Sequence, residues 1–275
     1  MKKVGSKTVL CIAALLLFLT TLVPMIWVMI SSLKTKKEMI RSPWNLPEKL
    51  QWSNYAEAWE RGNFGQLAKN SIVITVTAVF LMLVLSAMIA FALSRYRGRL
   101  GKAVLMYLLI GQTISAAMII FPIVILLRSL GLGGSHLGLI LTYAAGGLPF
   151  AAFVMQGFFA GIPKELYESG EMDGAGEFTL FVRIALPLAK PAVATVLLYQ
   201  FMWVWNEFVL AFTVIDKVEN RTIIVGLYSV VNGQLQTNYV LAFAGAMIVS
   251  VPIIVVYLCF QKYLIQGLIT GAVKG

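Results

Sequence analysis

The chain has 275 residues, and its composition is that of a membrane protein. Apolar residues make up about 64% of it when glycine is counted and tyrosine is not, whereas soluble domains average roughly 45–50%. Charged residues make up only 12%, too few to form a water-facing shell over so large an apolar core. The composition therefore argues strongly against a soluble enzyme.

The net charge of +10 does not indicate nucleic-acid binding, because the basic residues lie between apolar runs instead of gathering on one solvated face. Cys11 and Cys259 both lie inside apolar runs, where cysteine behaves as a small apolar residue. His136 is the only histidine, so this chain alone cannot build a multi-histidine metal site. We expect no cofactor, no metal and no nucleic-acid partner.

Uncharged stretches of the sequence are long enough to cross a membrane six times, since roughly 20 helical residues span the hydrocarbon layer. Polar residues from Asn232 to Asn238 limit the last stretch. The first stretch exceeds the apolar region of a signal peptide and has no cleavage site before Lys34, which favours a retained helix. The sequence predicts one all-α membrane domain over residues 1–275, with spans at about 9–31, 70–94, 103–127, 137–160, 191–215 and 239–261.

The orientation of these spans follows from the short loop between the second and third. Residues 95–102 contain four basic residues and no acid, and short basic loops stay in the cytoplasm. Counting spans from there places both termini and the loop 161–190 inside, and the segment 34–69 outside. That outer segment also carries seven basic residues, so the orientation depends on the short loop.

The loop 161–190 contains five of the twelve acidic residues of the chain. Pro163 suits the first position of a helix, and Gly174 can end that helix with a positive φ. The sequence predicts a short surface helix over about 163–173. Apolar side chains in the loop suggest that it docks against a partner; they are Leu166, Tyr167, Met172, Phe178, Phe181 and Ile184.

The same loop resembles the signature of the inner-membrane permease subunits of binding-protein-dependent ABC importers. That signature reads Glu-Ala-Ala, three residues, Gly, nine residues, Ile-x-Leu-Pro. Its spacing is matched here by Glu168, Gly174, Ile184, Leu186 and Pro187. Two small residues, Ser169 and Gly170, replace the alanines, and the glycine lowers helix propensity by about 1 kcal/mol.

The resemblance implies the type I ABC importer permease fold, with this loop seated in a cleft of a separate ATP-hydrolysing subunit. The residues implied in coupling are Glu168, Ser169, Gly170, Asp173, Gly174, Ile184, Leu186 and Pro187. The chain has no G-x-x-x-x-G-K-[ST] sequence, the nearest string being Gly98-Arg-Leu-Gly-Lys-Ala. Nucleotide must therefore bind elsewhere, and the chain is expected to be a transport subunit and not an enzyme.

Two further stretches, the tail 261–275 and Trp205-Asn206-Glu207-Phe208, resemble the carbohydrate-importing branch, the class of the smaller maltose permease subunit. This resemblance implies a bacterial inner-membrane location. It also implies four partners: a second homologous permease, two ATP-binding subunits and an external sugar-binding protein. The identity of the sugar does not follow from it.

Glu207 is the only acid within a predicted span, and a carboxylate in lipid normally faces the interior of a bundle. With Trp203 and Asn206 nearby, it is either a polar site along the sugar route or a structural contact between helices. The alternative function is a secondary transporter or channel that uses Glu207. An intramembrane enzyme is disfavoured, because H-E-x-x-H, G-x-S-x-G and an acid pair within the spans are all absent from the sequence.

Overall fold

A computed structural model describes residues 2–96, 98–233 and 238–272. These residues form helices joined by short irregular segments, and no strand occurs among them, which confirms the predicted all-α class. Arg97 in the basic loop, most of the polar cluster before the last span and the final three residues of the tail lie outside the described residues.

The first half of the chain contains α1 Lys2–Ser32, α2 Lys36–Arg41, α3 Ser53–Arg61, α4 Phe64–Arg95, α5 Arg99–Gly111, α6 Ala116–Ser129 and α7 His136–Phe159. The second half contains α8 Lys164–Met172, α9 Glu177–Leu180, α10 Leu186–Leu188, α11 Lys190–Asn206, α12 Val209–Val214, α13 Ile223–Asn232 and α14 Tyr239–Ala272. A π-helical turn, Phe181–Ala185, joins α9 to α10, and a 3₁₀ turn, Val218–Asn220, precedes α13.

Among the described residues, four helices are long and apolar enough to cross a membrane, or five if the bent pair Glu177–Leu188 and Lys190–Asn206 is counted as one span. The four are Leu10–Ser32 of α1, the whole of α4 and of α7, and Tyr239–Lys262 of α14. Their ranges overlap the first, second, fourth and sixth predicted spans.

The third and fifth predicted spans are not continuous helices, contrary to the expectation from hydropathy. Residues 103–127 belong to α5 and α6, which residues 112–115 separate. Thr113 and Ser115 lie in this break, and such side chains compete with the helix for backbone hydrogen bonds. Residues 191–215 belong to α11 and α12, which are separated at Glu207 and Phe208.

The backbone also bends before the fifth predicted span. The helical segments Glu177–Leu188 and Lys190–Asn206 meet at an angle of 75°. Pro191 lies in the first turn of α11, where no helical hydrogen bond needs its missing N–H. Pro187 lies next to the last residue of the segment Glu177–Leu188, where it cannot donate a helical hydrogen bond. The bend gives the loop 161–190 a defined exit into α11.

Residues 1–65 and 226–251 form one compact unit, in which the segment after α1 is ordered. Trp27 donates from Nε1 to the Pro43 carbonyl at 3.1 Å, and the side chain of Lys34, only 1% exposed, donates from Nζ to the same oxygen at 2.6 Å. Burial lowers the pKa of Lys34, although the charge of Glu38 opposes the shift. The segment after α1 is therefore tied to that helix by side-chain hydrogen bonds within the unit.

Residues 66–225 and 252–275 form the second unit. Its apolar core contains two clusters, one around Met82, Leu139 and Ile215 and one around Phe91, Phe159 and Leu180. The second cluster includes fully buried alanines of α4, α7 and α11, which let these helices approach closely. It continues into α8 and α9, so the loop 161–190 packs directly on the helices that carry it.

Candidate functional site

The helix α8 in the loop 161–190 ends at a turn that Gly174 makes possible. Gly174 has φ +80°, as the sequence predicts, and a side chain would be strained there. The Ala175 N–H donates to the Gly170 carbonyl and the Gly174 N–H to the Glu171 carbonyl, each at 2.9 Å. This is the Schellman pattern of helix ends, and it fixes the direction in which the chain leaves α8.

Gly170, which stands where the signature has its second alanine, lies against the following helical segment. A Cβ placed on it would be 2.6 Å from Cδ2 of Leu180 and 3.0 Å from Cδ1 of Ile184. Leu180 is buried, so a larger residue at position 170 would have to displace a packed side chain. The glycine therefore serves close packing, which offsets its low helix propensity.

Arg95, the last residue of α4, holds both sides of the Gly174 turn. Its Nη2 donates to Oε1 of Glu177 at 3.0 Å and also to Oε1 of Glu171, so one guanidinium joins the end of α8 to the start of α9. The same guanidinium lies 5.0 Å from the centre of the Tyr167 ring. We call Arg95, Glu171, Glu177 and Tyr167 the Arg95 clamp.

Tyr167 fixes α8 to the core beneath it. Its ring is buried and packs edge-on against Phe91 of α4, with ring centres 6.1 Å apart. Burial raises the pKa of the Tyr167 hydroxyl, while the positive charge of Arg95 opposes the shift, so the phenol stays neutral at physiological pH. The clamp was not predicted, because its members lie 76 and 82 residues apart in the sequence.

The outward face of the loop presents a mixture of apolar and acidic side chains. Of the six apolar residues expected to dock, Tyr167, Phe181 and Ile184 instead pack within the chain's own core. The other three remain exposed; they are Leu166, Met172 and Phe178. Glu168, Ser169 and Asp173 are exposed beside them, whereas Leu186 is partly buried and Pro187 is exposed at the start of α10.

The second candidate site is the break between α11 and α12. Glu207 ends α11, and its carboxylate accepts from the backbone N–H of Leu210 at 2.8 Å and of Ala211 at 3.0 Å. The Tyr143 hydroxyl of α7 donates to the same carboxylate at 2.6 Å. Glu207 therefore caps α12 and joins it to α7, and it does not lie within a continuous helix as expected.

Trp203 and Asn206 lie next to this capped break and remain accessible. The Trp203 ring packs edge-on against Tyr143, with centres 5.7 Å apart, and is 39% exposed. Asn206 is exposed and donates to the Met202 carbonyl one turn earlier. Of the three residues predicted for the pathway, Glu207 is engaged within the chain, while Trp203 and Asn206 have surface free for another molecule.

Residues 82–270 match the family described as the binding-protein-dependent transport system inner membrane component. The chain belongs to that family. It is thus a multi-pass protein of the bacterial inner membrane and a subunit of an importer that works with a substrate-binding protein. It is a transport subunit and not an enzyme.

Relatives and solved structures agree with this assignment over nearly the whole chain. The diacetylchitobiose uptake system permease of Streptomyces coelicolor is 33% identical over 92% of this chain and 84% of its own length. The melibiose/raffinose/stachyose import permease of Bacillus subtilis is 31% identical over 92% and 91%. One chain of a bacterial ABC transporter involved in alginate import has a TM-score of 0.80, with 27% identity over 93% of this chain and 95% of its own.

Replacing Arg95 should loosen α8 without preventing membrane insertion. Arg95→Ala removes the cation between Glu171 and Glu177 and leaves two carboxylates that repel each other. Because both carboxylates are about half exposed, we expect amide hydrogen exchange in α8 to accelerate by no more than about tenfold. Hydrogen exchange read by mass spectrometry measures this.

Two variants serve as controls for that experiment. Arg99→Ala removes an exposed arginine nearby and should leave exchange in α8 unchanged. Adding Glu171→Gln and Glu177→Gln to Arg95→Ala should restore part of the protection, because the repulsion is removed. Equal exchange in Arg95→Ala and the unmodified protein would show that the clamp does not hold the loop.

Substitutions at Glu207 and Tyr143 should lower the stability of the folded chain in proportion to the hydrogen bonds that each one removes. Glu207→Ala leaves the N–H groups of Leu210 and Ala211 without their acceptor, at a cost of about 1–3 kcal/mol. Glu207→Gln retains one acceptor oxygen, and Tyr143→Phe removes a single bond, so both should cost less. Thermal unfolding in detergent should rank them in this order; an unchanged melting temperature for Glu207→Ala would rule out the capping role.

Proposed function

We propose that this chain is one permease subunit of an ATP-driven sugar importer. It would form half of the translocation pathway with a second, homologous permease and would couple to two separate ATP-binding subunits. The names of its relatives support a sugar substrate, since they import diacetylchitobiose in one case and melibiose, raffinose and stachyose in another. The alginate transporter adds a polysaccharide importer among the solved structures.

The observation that carries this proposal is the exposed face of the loop 161–190. Leu166, Met172 and Phe178 are apolar side chains in contact with water, at 43%, 88% and 76% exposure. Exposed apolar side chains grouped in this way are typical of a protein interaction site. Glu168 and Asp173 beside them can accept charge-assisted hydrogen bonds from arginine or lysine of a partner. A cleft in the ATP-binding subunit would supply both kinds of contact.

The Arg95 clamp connects this face of the loop mechanically to the proposed membrane spans. A displacement of α8 would be passed to α4 through Arg95 and to the buried core through Tyr167. The residues of the signature then have distinct proposed roles. Glu168, Ser169 and Asp173 contact the partner, Gly170 and Gly174 shape the helix and its turn, and Ile184, Leu186 and Pro187 set the path into α11.

The proposed topology has six spans with both termini in the cytoplasm. Four spans would be the long helices, and the third and fifth would be the broken pairs α5 with α6 and α11 with α12. The positive-inside rule supports the orientation, because the short stretch 95–102, at the junction of α4 and α5, contains four basic residues and no acid. In the proposed orientation α8 lies on the cytoplasmic side, where an ATP-binding subunit can reach it.

We propose Trp203 and Asn206 as residues of the sugar pathway and Glu207 as the residue that positions them. The Glu207 carboxylate already accepts three hydrogen bonds within the chain, which leaves it poorly placed to serve as a proton or ion carrier. The secondary transporter that uses Glu207 is therefore not supported, and membership of the importer family favours ATP as the energy source.

The energy source is tested directly by separating ATP from the proton gradient. In cells that hold their gradient but are depleted of ATP, uptake of the transported sugar should cease. Uptake should persist when the gradient is dissipated and ATP is maintained. The opposite pair of results would indicate a secondary transporter and would overturn the proposed function.

Two substitutions in the loop should weaken the coupling between this chain and the ATP-binding subunits. Gly174→Val places a β-branched residue at φ +80°, which re-aims the end of α8. Glu168→Lys replaces an acceptor with a repelling charge where a basic partner is expected. Both variants should insert normally, yet uptake and the stimulated ATP hydrolysis of the assembled transporter should fall together.

A matched control for these variants is available on the same loop. Gly176 has an ordinary extended conformation and open space around it, so Gly176→Ala should retain uptake. Normal uptake with normally coupled hydrolysis in both Gly174→Val and Glu168→Lys would remove the loop from the mechanism.

A further inference from the structure

The break between α5 and α6 places polar residues near the middle of a predicted span. Gln112, Thr113 and Ser115 lie in the break and are exposed on the surface of the chain. The flanking helices contain 13 and 14 residues, so the break lies about 20 Å from either end of the segment. Irregular backbone at this depth is tolerated only against protein or along a water-filled passage, because lipid offers no hydrogen bonds.

Gln112 connects this break to α7. Its side-chain Nε2 donates to the Gly146 carbonyl at 3.0 Å. A glutamine amide carries two N–H donors and an acceptor oxygen, so one donor and the acceptor can still serve a ligand. The break is thereby held against the part of α7 that Trp203 also covers.

Trp203 lies against the same glycine. A Cβ placed on Gly146 would be 3.3 Å from Cη2 of Trp203. Gly146 therefore leaves room for the indole of α11 at the residue of α7 to which Gln112 binds. The indole is fixed edge-on against Tyr143, which Glu207 holds in turn.

The exposed face of α11 continues this surface. Tyr199, Trp203 and Asn206 follow one another at helical spacings of four and three residues, and all three are exposed. Gln200 and Val204, on the other face, are buried. Two aromatic rings and an amide thus face outward from a helix in the predicted membrane interior.

We infer that Gln112 and Thr113, together with Tyr199, Trp203 and Asn206, form a carbohydrate-contacting surface, so that this chain itself touches the transported sugar. We call these five residues the Gln112–Trp203 surface. Amides can both donate to and accept from sugar hydroxyls, and an aromatic face packs on the C–H face of a sugar ring. The inference rests on the proposed function, since it takes a sugar as the substrate.

Single cysteines can show whether the Gln112–Trp203 surface faces water. In a chain lacking Cys11 and Cys259, Thr113→Cys would be compared with Thr77→Cys in the assembled transporter in vesicles. Thr77 is an exposed threonine of α4 that shares a face with Val73 and Phe80, both exposed and apolar. A charged methanethiosulfonate reagent should modify the cysteine at 113 and leave the one at 77 unmodified.

The sugar itself supplies the second readout. The vesicles are first assayed for uptake of melibiose, raffinose and diacetylchitobiose, and whichever sugar enters is used as the probe. That sugar should slow modification of the cysteine at 113. Trp203→Ala should raise the sugar concentration needed for protection about fivefold, the change expected for loss of one ring contact, whereas Trp203→Phe should raise it less.

The possible results separate failure of this inference from failure of the proposed function. An unmodified cysteine at 113 would mean that the break is covered by lipid or by the second permease, and it would overturn the inference. Modification without protection by a sugar that the vesicles import would also overturn it, while leaving the proposed function intact. Uptake of none of the three sugars, with ATP hydrolysis still stimulated by the binding protein, would count against the sugar function and this surface together.

Discussion

The contact between Arg95 and the two carboxylates on either side of the Gly174 turn is the interaction on which the functional account depends. It joins the end of a long apolar helix to a short loop helix that also packs on the core through Tyr167 and on the following segment through Gly170. An exposed ion pair contributes little stability, but one guanidinium that holds two segments fixes their geometry. The loop can therefore transmit force because it is held on the spans as well as exposed to a partner.

A second constraint acts within the spans, where backbone and side-chain polar groups must find partners inside the protein. Glu207 meets it by capping α12 and accepting from Tyr143, and Gln112 meets it by donating to Gly146. Both contacts occur where a predicted span is interrupted. Both interruptions are thus stabilised by hydrogen bonds to α7. Trp203 and the α5–α6 break both contact Gly146 of that helix.

The sequence predicted the features that depend on local chemistry. The helix Lys164–Met172 and the positive φ of Gly174 follow from residues within the loop, and four long apolar helices follow from uninterrupted hydropathy. The breaks at 112–115 and at Glu207 escaped prediction, because hydropathy averages over a window and does not register helix continuity. The partners of Arg95 and Glu207 depend on tertiary packing between distant segments, which a single sequence does not contain.

The central claim, that the outward face of α8 contacts an ATP-binding subunit, can be tested by cross-linking in inside-out vesicles. Met172, at 88% exposure, would be replaced by cysteine in a chain lacking Cys11 and Cys259. The result expected is a bismaleimide cross-link between Met172→Cys and the ATP-binding subunit, with none from Asn54→Cys in the segment predicted to lie outside. A cross-link from Asn54→Cys, or one from Met172→Cys only to the second permease, would contradict the account.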